Sequence, residues 1–137
     1  LYGMQTVSLR YFNVYGPRQA YKGQYAPVIG IFQKQKFEEK PLTIIGDGNQ
    51  TRDFIHVADV AHANVMVAES DVVGVFNVGS GIEYSVNQIA MLTKNPHGTT
   101  TIPSREGEAR RSLSDNTKLK DIGWQPRIGL EAWIAKQ

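Results

Sequence analysis

The sequence has no cysteine. That absence excludes a disulfide scaffold, a thiolate zinc site and a cysteine nucleophile. Charge of one sign is scarce too: 15 basic against 13 acidic side chains leave +2, and no block of five like charges forms a polybasic arm or an acidic tail. Nucleic acid is therefore not an expected partner. No apolar run exceeds about five residues, far below the roughly 20 that a membrane helix requires. No charged n-region followed by an apolar h-region opens the chain, so the expectation is no membrane association and a cytoplasmic protein. The histidines are His56, His62 and His97. No two share a helical face, so no metal site is expected, and His56, at a strand end, reads as a hydrogen-bonded structural residue. A G-x-S-x-G elbow is also missing, which leaves nucleophilic hydrolysis without a candidate. What is present, 41% hydrophobic and 20% charged residues over 137 positions, suits a single globular unit.

Strand and helix signals alternate along the chain. After a short lead-in, Leu1–Thr6, the β-branched and aromatic run Val7–Val14 reads as one strand, stopped by Gly16-Pro17. Residues 18–26 form a polar loop. Pro27 then suits a first helical position, with Val28, Ile31, Phe32 and Gln35 on one face of a helix that runs to about Glu39 and ends before Pro41. Leu42–Ile45 and Thr51–Val57 are strands joined by Gly46-Asp47-Gly48-Asn49, whose glycines supply positive φ cheaply, so a hairpin is expected. Asp59 to about Ser70 is a helix with Val60, Ala61, Val65 and Ala68 inward. Val75–Val78 is a short buried strand. Ser85 with Gln88 three residues on is a capping box that opens a helix burying Val86, Ile89 and Ala90, closed by Pro96 and Gly98. A turn-rich stretch, 99–114, precedes a short helix capped by Ser114 or Asp115 and ended at Gly123, after which Trp124 folds back. Gly129–Lys136 is the last helix. The alternation argues an α/β fold.

Two features merit weighing as ligand sites. Gly79-x-Gly81-x-x-Tyr84 follows a strand and precedes a helix, as a dinucleotide turn does. The third glycine is replaced by tyrosine, however, and no acid stands about 20 residues on, so a plain strand-ending turn is the better account. Arg52, just after the glycine-rich turn, and Arg105, beside Gly107, carry forks suited to phosphate. The competing account is a surface arginine paired with a neighbour such as Asp53 or Glu106. Arg110-Arg111 reads as a solvated pair.

Four blocks, in order, resemble a known family: Leu9-Arg10-Tyr11-Phe12-Asn13-Val14-Tyr15-Gly16-Pro17-Arg18-Gln19; Pro41–Gly48 with Thr51-Arg52-Asp53-Phe54-Ile55-His56-Val57-Ala58-Asp59; Phe76–Gly81; and Arg105–Arg111. They look like the extended short-chain dehydrogenases that act on nucleotide sugars. UDP-glucose and UDP-N-acetylglucosamine 4-epimerases are the nearest in kind, with dehydratases and UDP-glucuronate decarboxylases as neighbours. A complete member is more than twice this length, with a glycine-rich NAD-binding turn and a Tyr-x-x-x-Lys pair. Here no tyrosine has a lysine four residues on, and Tyr2-Gly3-Met4 matches the segment shortly after that pair.

The resemblance therefore implies the carboxyl-terminal part of an epimerase. Residues 1–137 would form one substrate-binding unit, with about 1–16 and 72–81 contributing the last two strands of a Rossmann-type parallel sheet and the rest a small mixed α/β domain. It implies that Arg52 and Arg105 hold a pyrophosphate, Glu108 the ribose, Asn13 the substrate phosphates and Ile45 the uracil. Ser112 would sit where a small residue admits N-acetylated sugars. Tyr11 and Phe12 would flank the nicotinamide through their backbone, in a complete enzyme only. The implied partner is a UDP-sugar. The implied cofactor is NAD in the parent and none for this chain alone, which carries no catalytic residue of its own. The alternatives are a non-catalytic nucleotide-sugar-binding or oligomerising module, and a part of a dehydratase or decarboxylase. Because the strand at Val7–Val14 would lack a parent-sheet neighbour, a homodimer or strand-exchanged oligomer is expected.

Overall fold

The computed structural model describes residues 2–137, so Leu1 of the lead-in lies outside it. The elements, in order, are β1 (Val7–Tyr11), β2 (Asn13–Tyr15), α1 (Val28–Phe37), β3 (Leu42–Ile45), β4 (Thr51–His56), α2 (Val57–Ala68), β5 (Gly74–Val78), β6 (Glu83–Ser85), α3 (Val86–Thr93), β7 (Thr99–Ile102), β8 (Arg111–Ser112), α4 (Thr117–Lys120) and α5 (Leu130–Ile134).

The apolar run from Val7 serves two sheets rather than one. β1 pairs in parallel with β5, Val7 opposite Gly74 and Tyr11 opposite Val78. Phe12 still donates its N–H to the Val78 carbonyl at 3.0 Å. One residue later β2 pairs in parallel with β4. The single strand expected over Val7–Val14 is thus two, because side-chain type favours extended backbone without naming its partner.

β4 is the hub of the second sheet. β6 runs antiparallel to it and β8 parallel, with Arg52 opposite Tyr84 on one strand and Ser112 on the other. The expected hairpin does not form: β3 pairs in parallel with β7, from Leu42 opposite Thr99 to Ile45 opposite Ile102. The turn at 46–49 instead passes the chain from one sheet to another. Gly48 is required there, since its φ is +72° and a Cβ would lie 2.8 Å from the Ile44 side chain. The partner strand β7 falls inside the stretch expected to be only turns, so the local alternation around the turn had no visible competitor.

Period-two alternation along β4 divides the interior in two. Phe54 joins a cluster with Tyr15, Ile29, Phe32, Leu42 and Ile89. Ile55 joins the other, with Val60, Phe76, Val78, Leu119 and Trp124. α2 starts two residues before Asp59, capped by His56, whose Nδ1 accepts the Ala58 N–H at 3.1 Å. Its buried face is Val60, Ala63 and Val67; Ala61, Val65 and Ala68, expected inward, are exposed. Both stripes of this helix are apolar, so periodicity alone could not rank them. The capping box on α3 is present in both directions: Ser85 Oγ accepts from Gln88 N at 3.1 Å, and Gln88 Oε1 from Ser85 N at 2.7 Å. At α4, Asp115 Oδ1 takes the Thr117 N–H at 3.1 Å. Trp124 does fold back: it is fully buried and donates from Nε1 to the Asp59 carbonyl at 3.0 Å. No helix among the described residues is long and apolar enough to cross a membrane.

Candidate functional site

The same alternation that splits the core builds a cleft. Gln50, Arg52 and Phe54, at every second position, face one side of the β4 segment, and Thr43 and Ile45 do the same on β3. Phe12, Asn13 and Val14 supply the floor where the chain changes sheets. The first turn of α1, with Pro27, Val28 and Ile31, closes one wall; Arg105 and Glu108 close the opposite one; Tyr25 stands at the rim. The enclosed volume is about 440 Å³. A second lobe of about 250 Å³ continues past Ile45, Gln50, Arg105 and Glu108 toward Gly46, Asp47 and Ser104. Five of the six residues expected to hold substrate, Asn13, Ile45, Arg52, Arg105 and Glu108, therefore meet in one place although nearly a hundred positions separate the first from the last.

The cleft is charged at its mouth. Arg52 donates from Nη1 to the Thr51 carbonyl at 2.7 Å and from Nη2 to Glu108 Oε1 at 3.3 Å. The arginine is 20% exposed and the glutamate 31%. Arg52 is thus paired with an acid, as the competing account has it, but the acid is Glu108 rather than Asp53 or Glu106, and both partners line the cleft. Asn13 donates from Nδ2 to the Asp53 carbonyl at 3.1 Å, which pins the side chain to β4 beside the cleft.

The loop bearing Arg105 and Glu108 is held at its end by two ion pairs. Arg110 grips Asp47 with both guanidinium nitrogens at 3.0 Å, pulling that carboxyl down to about 2. Arg111 Nε donates to both oxygens of Glu83 at 3.0 and 2.8 Å, and Thr51 Oγ1 adds a third bond at 2.9 Å, so Glu83 also titrates below its ordinary value. Both arginines are solvent-exposed, as expected, and they also clamp the loop to the β3–β4 turn and to β6. Bidentate arginine–carboxylate geometry fixes orientation as well as distance.

One residue expected to hold substrate lies elsewhere. Ser112 sits opposite Arg52 on β8 but does not line the cleft. Tyr11 turns outward: its hydroxyl donates to Asn64 Oδ1 at 3.0 Å and accepts from Asn64 Nδ2 at 2.8 Å. Phe12 does line the cleft, with its N–H already engaged by Val78.

The residue that sequence reasoning passed over is Asp53. It is fully buried, and its carboxylate accepts from the backbone N–H of Ser80 (2.7 Å), Gly81 (2.9 Å) and Ser114 (3.1 Å), and from the hydroxyls of Ser80 and Ser114. Gly79-Ser80-Gly81 is thus an anion cradle whose anion is the chain's own. A Cβ on Gly79 would fall 2.9 Å from Asp53 Oδ2 and closer still to Ser114. Among the described residues, this glycine turn is therefore filled and offers no seat to a dinucleotide phosphate. The signal was available: an acid in mid-strand, followed by histidine and a second acid, needs buried partners. Asp59 completes the pattern, accepting from the N–H groups of Arg127 at 3.0 Å and Ile128 at 3.1 Å.

A family model described as NAD dependent epimerase/dehydratase matches residues 1–79, more than half of the chain. The chain belongs to that family. Over 99% of its length it is 42% identical to a putative UDP-glucose 4-epimerase of Methanocaldococcus jannaschii, of which it spans 45%. Among solved structures, a UDP-N-acetylglucosamine 4-epimerase of Methanobrevibacter ruminantium, in complex with UDP-N-acetylmuramic acid, superposes with a TM-score of 0.92 at 36% identity. A UDP-glucose 4-epimerase of Thermotoga maritima, with UDP-glucose, gives 0.90 at 37%. Each comparison covers 98% of this chain and 45% of the other. UDP-glucuronic acid decarboxylases of Arabidopsis thaliana are also relatives, the first at 32% identity. This epimerase/dehydratase chain accordingly has the α/β fold of the family and spans about half the length of the relatives it matches.

Proposed function

We propose that this chain is the nucleotide-sugar-binding part of a UDP-sugar 4-epimerase. One observation carries the reading: Asn13, Ile45, Arg52, Arg105 and Glu108, drawn from separate segments, converge on one cleft. Arg52 and Arg105 hold the diphosphate, Glu108 accepts from ribose hydroxyls, Ile45 packs on the uracil, and Asn13 reaches the phosphate next to the sugar. Ser112 lies opposite Arg52 on β8, outside the cleft, and takes no part in this arrangement. The Arg52–Glu108 contact fits this arrangement, since at 3.3 Å it is longer than an optimal charge-assisted bond and can open to admit a ligand between the two groups.

The chemistry belongs to the complete enzyme, in the cytoplasm, with NAD held chiefly by residues other than these and touched here by the backbone at Tyr11 and Phe12. No tyrosine in this sequence has a lysine four residues on, and burial pushes the Tyr15 phenol well above its ordinary value while its hydroxyl faces the Ile128 carbonyl at 3.3 Å. The tyrosine base of the family's Tyr-x-x-x-Lys pair thus has no counterpart in these residues, and the isolated chain does not interconvert UDP-glucose and UDP-galactose. A decarboxylase parent would use the same nucleotide contacts.

Binding tests the reading. Removing one arginine fork from a phosphate costs about 1.5–3 kcal/mol, so Arg52→Ala should weaken UDP binding roughly ten- to a hundredfold in calorimetric titration. Equal affinity of the two proteins would refute the phosphate role.

A further inference from the structure

Asn116 is 6% exposed, and its Nδ2 donates to the Gly79 carbonyl at 2.9 Å. A carbonyl only accepts, so the amide has one orientation and Oδ1 points away from that bond. No donor among the described residues reaches Oδ1, and it is not one of the polar atoms sealed into the interior. The residue lines a hollow of about 530 Å³ between the turn at 80–82 and α4. None of the residues around this hollow lines either lobe of the cleft. Gly81 keeps the amide uncovered, since a Cβ there would stand 3.3 Å from Nδ2 and 3.6 Å from Oδ1. A fixed acceptor, more than nine-tenths buried and left bare, calls for a donor from whatever fills the hollow.

The other groups around the hollow narrow the chemistry. Lys120 follows Asn116 by one helical turn, its N–H on the Asn116 carbonyl at 3.0 Å, so the two side chains share a side. The Lys120 ammonium forms no ion pair among the described residues. Asp115 is the acid of the hollow, so the two charges cancel and favour neither an anion nor a cation. The N–H of Thr117 is already taken by Asp115 Oδ1 at 3.1 Å, so it is not on offer to a ligand. Hydroxyls suit such a mixture of acceptors and donors, because each donates one bond and accepts two. Ile82, 57% exposed at the margin, gives an apolar surface to the C–H groups of a ring. We infer that the hollow binds a neutral hexopyranose, with one ring hydroxyl donating to Asn116 Oδ1, its neighbours shared between Asp115 and Lys120, and a C–H face on Ile82. This second site is separate from the cleft and does not depend on the nucleotide-sugar reading.

The test follows backbone and side-chain amide chemical shifts of the full 137-residue chain. The probes are methyl α-D-glucoside, methyl α-D-galactoside, the monodeoxy derivatives of whichever binds more tightly, and L-alanine. A few neutral hydrogen bonds to a small ligand correspond to a dissociation constant of about 1–10 mM. At least one glycoside should saturate in that range and move Gly81, Ile82, Lys120 and the Asn116 side-chain amide together. Removing the hydroxyl that donates to Oδ1 leaves a buried acceptor unpaired, so one monodeoxy derivative should bind about tenfold more weakly, or worse. That comparison needs no variant. Lys120→Met, a change at an exposed position, should weaken the glycoside roughly two- to tenfold. Binding of every monodeoxy derivative within about twofold of the parent glycoside would overturn the inference. Saturable shifts confined to the cleft around Arg52 would overturn it too, as would none at Asn116 up to about 100 mM glycoside. Saturation at these residues by alanine and by neither glycoside would overturn it differently, by showing that the hollow takes a zwitterion.

Discussion

Replacing Asp53 by asparagine keeps the shape of the side chain but exchanges one acceptor oxygen for a donor nitrogen. The geometry decides where that nitrogen goes. Oδ2 accepts from two backbone N–H groups, those of Gly81 and Ser114, which cannot turn away. Oδ1 accepts from only one, that of Ser80, together with the Ser80 hydroxyl, which can rotate to accept instead. The amide nitrogen should therefore take the Oδ1 place and leave the Ser80 N–H without a partner. An unpaired buried donor costs about 1–3 kcal/mol. The remaining bonds also lose their charge assistance, which roughly doubled them. The expected loss is about 2–4 kcal/mol, a large share of the roughly 5–15 kcal/mol by which a domain is stable. With a urea slope of about 1–3 kcal/mol per molar, the unfolding midpoint should fall by roughly 1–2 M. Tryptophan fluorescence reports it, since Trp124 is buried beside Asp59. A midpoint within about 0.2 M of wild type, on that same slope scale, would refute the claim that Asp53 is the anion of the Gly79-Ser80-Gly81 cradle.

Two further outcomes follow. Burial holds His56 below the ordinary imidazole value, against the pull of Asp59. As pH falls below about 6.5 the unfolded chain takes the proton first, so stability declines there; His56→Asn, which keeps an N-cap acceptor, should show a shallower decline in urea unfolding between pH 7 and 5, and an unchanged slope would count against the assignment. β1 pairs only with β5 among the described residues, and an open parallel edge recruits another strand; sedimentation should therefore show a dimer or larger species at tens of micromolar, with a strict monomer and fast hydrogen exchange at Val7–Tyr11 as the contrary result.

What the sequence made legible was local. The Ser85–Gln88 box, the helix after Pro27 and the return of Trp124 are set by neighbours in the chain, and the structure has them where the residues indicate. Pairing was not legible. Thr51–His56 was readable as a strand, but nothing in its own residues says that it takes β2, β6 and β8 as partners and leaves β3 to β7. The cleft was readable through arginine chemistry at Arg52 and Arg105 and through family resemblance at Asn13, Ile45 and Glu108. Asp53 was not, although it stands beside Arg52. A strand sends neighbours to opposite faces, so one residue of the pair meets the cleft and the other meets the core, and only the fold tells which.

On the function proposed above, the cleft over β4 receives a nucleoside diphosphate. Amide chemical-shift mapping of the wild-type chain during a UDP titration tests it most directly. One saturable process should move Ile45, Gln50, Arg52, Arg105 and Glu108, with Asn64 and Val75, outside the cleft, left in place. Saturable shifts centred anywhere else, or none at millimolar UDP, would contradict it.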